Sequence, residues 1–352
     1  MNSLRSFKFY LKLTKRLYSN NSLPSDLSLD YSKVLNHFQA PIRFAAAYGS
    51  GVLKQASYDE KNQPMVDFIF GVTHPSHWHS LNLRQNPSHY SSIKHLGAGA
   101  VSFLQEKIGA GIYYNPYCNI EGVKIKYGVV SIEDLQADLN EWRSFYLAGR
   151  LQKPVKIFRN DARIKLAIRV NLYNSLTVAL FSLPAEFSEE DLFLVLAGLS
   201  YKGDFRMSFA ENPRKVYNIV SKQLDEFRTL YKPIIEQHPL VSYVTSETLH
   251  QDQTLKLRTN CLLKLPKSFL NKLKERFGKI YSNNLDRFEG NEMLLLDAIS
   301  NLSETELKKL IHSSLVDVTW FPTLTQSIKG VITAGPIRTF TYITEKLAKA
   351  KK

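Results

Sequence analysis

Short apolar runs separated by polar, Gly- and Pro-bearing stretches fill the first half of the chain, and helical spacing dominates the second. Residues 33–38 read as a short helix. Residues 42–48 form an apolar run ending in Gly49-Ser50-Gly51, and 65–72 form another, interrupted only by Asp67. Residues 123–131 make a third such run. Lengths like these, bounded by Gly and Pro, predict buried strands. Residues 73–97 are polar and rich in His and Asn, which predicts a loop with short helices. Residues 132–148 predict a helix: Ser131 caps it, Glu133 and Asp134 suit its positive end, and Gly149 stops it. Ile164, Leu166, Ile168, Val170 and Leu172 alternate as in a strand, yet a helix as far as Leu183 fits equally; Pro184 ends either. Helices are then predicted over 188–199, 213–233, 267–277 and 303–313, the first opening on Glu189, Glu190 and Asp191. The expected class is α+β, with a mixed α/β front half and a mostly helical back half.

Composition narrows the class further. With 352 residues, 44% of them hydrophobic and 22% charged, the chain is globular and has room for two domains. A net charge of +14 predicts an anionic partner: nucleic acid, anionic lipid or phosphorylated small molecules. Cys118 and Cys261 lack CxxC or Cys/His spacing, which argues against a disulfide framework or a structural zinc site. No apolar run approaches the roughly 20 residues that span a bilayer. Residues 1–25 contain no acid and interleave Arg5, Lys8, Lys12, Lys15 and Arg16 with Leu4, Phe7, Phe9 and Leu13. That is the pattern of a mitochondrial presequence.

Chemistry concentrates in two places. A strand running into Gly49-Ser50-Gly51 offers backbone N–H groups and a hydroxyl to phosphate oxygens, and Asp67 on a neighbouring strand offers a carboxylate to Mg²⁺. The pair resembles the nucleotidyltransferase superfamily, although Ile69 stands where a second carboxylate is usual. No Gly-Lys-Ser/Thr follows, which excludes a P-loop. The second place is the run from Gly198 to Met207, where Lys202, Asp204 and Arg206 crowd around Gly203. Asp204 can supply the missing metal-binding charge; a local Asp204–Arg206 ion pair with no function is an equal reading. His74, His77, His79, His89 and His95 admit a zinc reading, but hydrogen-bonding histidines in a loop are the stronger expectation.

A wider set of motifs occurs in order: Ala47 to Gly51, Asp67 to Val72, His77 to Asn82, Tyr113 to Pro116, Lys126 to Val130, Gly198 to Met207, Asn212 to Val216, Lys329-Gly330 and Thr333 to Gly335. Together they resemble the mitochondrial translocator assembly and maintenance family, whose members act as CTP:phosphatidate cytidylyltransferases. The resemblance covers nearly everything after about residue 33. It implies a nucleotidyltransferase-like domain over 30–152 and a mostly helical, winged-helix-like domain over 153–325. It also implies action on CTP and phosphatidic acid at the matrix face of the mitochondrial inner membrane, feeding phosphatidylglycerol and cardiolipin synthesis. Carried onto this chain, Gly49, Ser50 and Gly51 hold CTP phosphates and Asp67 binds Mg²⁺. Lys126, Lys202, Asp204 and Arg206 complete the site, with Asp204 as second metal ligand. Residues 326–352 are expected to form a basic amphipathic helix on the anionic membrane surface: Ile337, Phe340, Ile343 and Leu347 share a face beside Arg338, Lys346, Lys349, Lys351 and Lys352. No nucleic acid is expected as partner. The rival readings are a nucleotidyltransferase acting on RNA and a non-enzymatic assembly factor for protein import.

Overall fold

The computed structural model describes residues 31–53, 65–208, 212–281 and 291–335, with Phe340 and Thr344. The presequence expected over 1–25 and most of the tail expected over 326–352 lie outside the described residues. The first half carries α1 (Tyr31–His37), β1 (Phe44–Tyr48), β2 (Val66–Val72), α2 (Pro75–Gln85), α3 (Gly97–Lys107), β3 (Ile112–Ile120), β4 (Val123–Ser131), α4 (Ile132–Glu141), α5 (Ala148–Leu151) and β5 (Lys156–Arg159). The strands form one mixed sheet in the order β3-β4-β2-β1-β5, parallel only between β2 and β4. A two-residue turn, Glu121-Gly122, joins β3 to β4 with both φ positive, the geometry that matches strand twist. The fifth strand comes from residues 156–159, so the sheet runs past the boundary expected near 153.

The period of two along the strands divides the core. Ala45, Ala47, Phe68, Phe70, Ile125, Tyr127 and Val129 face one way, against Val34, Leu35 and Trp78. Phe44, Ala46, Ile69, Ile112, Tyr114 and Val130 face the other and join the large core of the helical half. Asp67 shares this second face with Ile69, and Ile69 is fully buried within it.

The second half is mostly helical. It begins with α6 (Ala162–Leu180), which settles the alternating stretch as helix: Asp161 caps it, and every residue from Asn171 to Leu180 is buried. A three-stranded antiparallel sheet follows that the apolar pattern did not announce, of β6 (Glu186–Ser188), β7 (Val241–Tyr243) and β8 (Thr248–Gln251). Its strands are only three or four residues long, too short to show a period. Around it pack α7 (Glu189–Leu199), α8 (Lys215–Val220), α9 (Leu224–Ile235), α10 (Leu255–Leu262), α11 (Lys267–Ile280), α12 (Glu292–Ser300) and α13 (Glu304–Ala334). A reciprocal capping box between Ser188 and Asp191 opens α7, as its sequence predicts.

Four expectations are corrected. The helix expected over 132–148 stops at Glu141, because Trp142 turns left-handed (φ 54°) and Asp138 captures the chain beyond it. The stretch expected as one helix over 213–233 is α8 and α9; Gln223 leaves helical geometry, and Asp225 and Glu226 supply a fresh acidic first turn. Residues 73–97 hold an eleven-residue helix, α2. Its buried face includes His79 and Asn82, polar groups that hid the amphipathic period. The helix expected over 303–313 continues to Ala334, through Pro322, and Gly335 caps its C-terminal end.

Candidate active site

Strand pairing builds the first corner. Tyr48 on β1 lies opposite Asp67 on β2, and Asp67 lies opposite Lys126 on β4, so the three side chains project from one face at the end of the sheet. Lys126 Nζ is 3.0 Å from Asp67 Oδ1 and 4.6 Å from the centre of the Tyr114 ring. That ring lies across Gly128, where a Cβ would come within 2.5 Å of it. Tyr114 and Tyr48 meet hydroxyl to hydroxyl at 3.3 Å. Burial pushes both phenols up, and Asp67 raises Tyr48 further, so they remain neutral. Gly49 follows at φ 81°, and its carbonyl accepts from the N–H groups of Val52 and Leu53 in a tight turn. A Cβ on Gly49 would stand 3.6 Å from Asp67 Oδ2, so the turn and the carboxylate adjoin.

Helix ends build the second corner. Asp138, buried at the end of α4, accepts from the backbone N–H groups of Ser144, Phe145, Leu147 and Ala148 and from the Ser144 hydroxyl. One carboxylate thus folds the loop that opens α5 and aims Arg150. The Arg150 guanidinium stacks 3.7 Å over Tyr146 and lies 5.8 Å from the Tyr48 ring, which links the two corners. Lys153 Nζ donates to Gly149 O at 2.5 Å and Ser200 Oγ at 2.6 Å. Asp204 is buried and accepts a two-pronged pair from Arg206: Nε to Oδ1 at 2.9 Å and Nη2 to Oδ2 at 2.6 Å. Burial alone would raise the Asp204 carboxyl; the Arg206 hydrogen bonds and charge outweigh it and hold the group below the usual carboxylate range. Lys202 is exposed, and its carbonyl accepts from the Thr319 hydroxyl.

Against this geometry, the comparisons with known proteins decide the family. The family model described as "Phosphatidate cytidylyltransferase, mitochondrial" matches residues 31–349. Relatives of that same name include the Schizosaccharomyces pombe protein, 45% identical over 340 residues that cover 92% of this chain and 84% of its own. The Xenopus laevis protein is 39% identical over 324 residues, covering 91% and 94%. The Saccharomyces cerevisiae protein is 46% identical over 229 residues, covering 62% and 59%. The chain belongs to the mitochondrial phosphatidate cytidylyltransferase family.

For a member of this family the structure brings together most of the residues singled out in sequence. Gly49, Asp67 and Lys126 form the first corner, with Ser50 and Gly51 in the turn that follows Gly49. Asp204 and Arg206 belong to the second, joined to the first through Arg150 and Tyr48. Asp67 suits a divalent cation: its Oδ1 is buried and receives no directed hydrogen bond, although the Lys126 ammonium lies beside it. Mg²⁺ is commonly held by one carboxylate together with substrate phosphates. Asp204 does not suit one in this arrangement, since both oxygens are committed to Arg206. Among the described residues no three His, Cys, Asp or Glu side chains gather as a metal site. His79 instead contacts the Tyr90 hydroxyl and Gln105 Oε1, both at 2.8 Å, and His89 contacts the Tyr127 hydroxyl at 2.9 Å. Burial pushes His79 down to about 4, so it is neutral. Sequence reasoning missed Arg150, Lys153 and Tyr146, and met Tyr48 only as part of the motif that ends in Gly51. The basic pair flanking the end of α5, in Gly149-Arg150-Leu151-Gln152-Lys153, was the one available signal.

Proposed function

We propose that the chain is a Mg²⁺-dependent phosphatidate cytidylyltransferase, making CDP-diacylglycerol and pyrophosphate from CTP and phosphatidic acid. Family membership supports this reading, and one observation carries it onto the site: the Asp67 carboxylate lies beside the Gly49 turn, its Oδ1 already drawing the Lys126 ammonium to 3.0 Å. An oxygen of the phosphatidate phosphomonoester attacks the α-phosphorus of CTP. The bond to the β-phosphate bridging oxygen breaks, and pyrophosphate leaves with its electron pair. A phosphomonoester is already largely ionised near pH 7, so positioning and charge neutralisation suffice without a strong base.

In this reading the Gly49-Ser50-Gly51 turn offers N–H groups and a hydroxyl to the triphosphate, and Lys126 and Arg206 add positive charge. Lys202, exposed on the turn that carries Asp204, is taken to add positive charge from the surface when substrate binds. Asp204 acts as a positioning residue for Arg206. Mg²⁺, held by Asp67 together with substrate oxygens, would supply further neutralisation of the phosphates. The reading further takes residues 30–152 as a nucleotidyltransferase-like domain and 153–325 as a winged-helix-like one. It takes 326–352 as a basic amphipathic segment on the anionic matrix-side surface of the mitochondrial inner membrane. No helix among the described residues is long and apolar enough to cross a membrane, so peripheral attachment suits a lipid substrate.

The test uses chain lacking residues 1–25, labelled CTP, Mg²⁺ and liposomes containing phosphatidic acid. Labelled CDP-diacylglycerol is the expected product. Its absence with every divalent metal tried, from folded protein bound to the liposomes, would overturn the reading in favour of a scaffold or an RNA-directed enzyme.

A further inference from the structure

Two cations in the second corner have no part in the mechanism above. Arg150 and Lys153 flank the end of α5, and Gly149 brings that end against the turn after α7: a Cβ there would lie 2.5 Å from Ser200 Cβ. Lys153 Nζ lies 4.9 Å from the centre of the Tyr201 ring, and Lys215 Nζ approaches the same ring to 5.2 Å. Positive charge therefore converges on one small region from α5 and α8. The carboxylate within this region, Asp204, is already spent on Arg206. Among the described residues, neither Arg150 nor Lys153 makes an ion pair with a carboxylate. Their polar contacts are with carbonyls, the Ser200 hydroxyl and aromatic rings. Lys153 uses two of its three ammonium hydrogens on Gly149 O and Ser200 Oγ and keeps the third. Both cations are only half-buried, so an anion can reach them.

We propose that Arg150 and Lys153, with Lys215, form a phosphoryl-binding subsite, adjacent to the Asp67 corner and distinct from it, that receives one of the two phosphate-bearing substrates. The proposal rests on the cytidylyltransferase reading and adds to it where a second phosphate docks. Arg150 and Lys153 repel one another, with the nearby Asp204 carboxylate already committed to Arg206, and a phosphoryl dianion relieves that repulsion. Burial and the neighbouring Arg150 and Lys215 charges push the Lys153 ammonium well below the usual lysine range. A dianion bound there draws a proton back onto it.

The experiment compares wild type with Lys153→Met, a variant that removes the charge and keeps the stem. Initial rates are measured against CTP and against monomeric short-chain phosphatidate, each with the other saturating. The expected result is a rise of about 10- to 100-fold in KM for one substrate, with no fall in thermal midpoint. A rise for phosphatidate makes this the acceptor subsite; a rise for CTP makes it a second contact of the triphosphate, beyond the Gly49 turn. Calorimetry in buffers of different ionisation enthalpy gives a second readout. Binding of that substrate to wild type at alkaline pH takes up protons, and binding to Lys153→Met does not. Unchanged KM values for both substrates, or equal proton uptake in the variant, would overturn the subsite. A wild type that makes no CDP-diacylglycerol sinks the underlying reading instead, so the two failures are distinguishable.

Discussion

The two corners of the gap are built by different means. Asp67, Lys126 and Tyr48 come from three adjacent strands, and their meeting is fixed by backbone pairing that any side chain of suitable size would tolerate. Arg150, Lys153, Asp204 and Arg206 come from helix ends and turns, and their meeting depends on particular side chains seizing particular backbone groups. A site resting on register is robust to substitution nearby but committed to the carboxylate it presents. A site resting on captured loops is only as firm as its captors.

That contrast can be broken at either end. Asp67→Asn should lower cytidylyl transfer by about 10³-fold while leaving the thermal midpoint almost unmoved, because the strand pairing survives it. A loss under tenfold would place the essential carboxylate elsewhere. Asp138→Ala, far from any reacting atom, should cost about 3–5 kcal/mol of stability in urea titrations, since several buried N–H groups lose their acceptor. Were the cost below about 1 kcal/mol, the loop before α5 would be holding itself together by other means. Arg206→Lys keeps charge but loses the planar fork, and should lower kcat/KM by about 10- to 100-fold with the fold intact. The Asp204 carboxyl is held below its usual range, so the pair's contribution is complete above pH 3.8 and is lost only as pH falls through the lower folded value.

The smallest effect concerns buried histidines away from both corners. Burial pushes His79 down to about 4 and His238 down to about 3, from an ordinary value of 6.5. The unfolded chain therefore takes up protons first, and stability falls as pH drops through 6.5. Each should cost about 2 kcal/mol between pH 7 and pH 5. His79→Gln should flatten that dependence by roughly half, as read from urea midpoints across the range; an unchanged slope would mean that His79 is not buried neutral.

What was legible in sequence follows the same division. Residues 42–48, 65–72 and 123–131 read as strands because their apolar runs are bounded by Gly and Pro, and Gly49, Asp67 and Lys126 could be named with them. Arg150 and Lys153 could not, because a short helix aimed by Asp138 leaves no period in the chain. Asp204 and Arg206 were visible as a pair, but only the structure shows the guanidinium holding both carboxylate oxygens. The left-handed turn at Trp142 was equally hidden: the indole is fully buried and bonded to Asn171, a long-range contact that outweighs the local helical pattern. His79 and Asn82 misled in the opposite sense, as polar residues whose partners, Tyr90, Gln105 and Tyr127, lie beyond any local window.

The long helix α13 runs past both halves. Near its middle the Thr319 hydroxyl holds Lys202 O, and Gly203 packs so closely on Val316 that a Cβ there would come within 2.8 Å of its Cα. Two turns on, Gln326 accepts from the Ala110 N–H and donates to Ile112 O, and Lys329 Nζ donates to Gln105 O and Ile108 O. One rod is thus riveted to the turn that carries Asp204 and to the rim of the sheet that carries Asp67. Any widening of the gap between the corners has to shear those rivets, several of them buried. α13 accordingly works as a spacer: it sets the distance between the turn that carries Asp204 and the sheet that carries Asp67 before any substrate arrives.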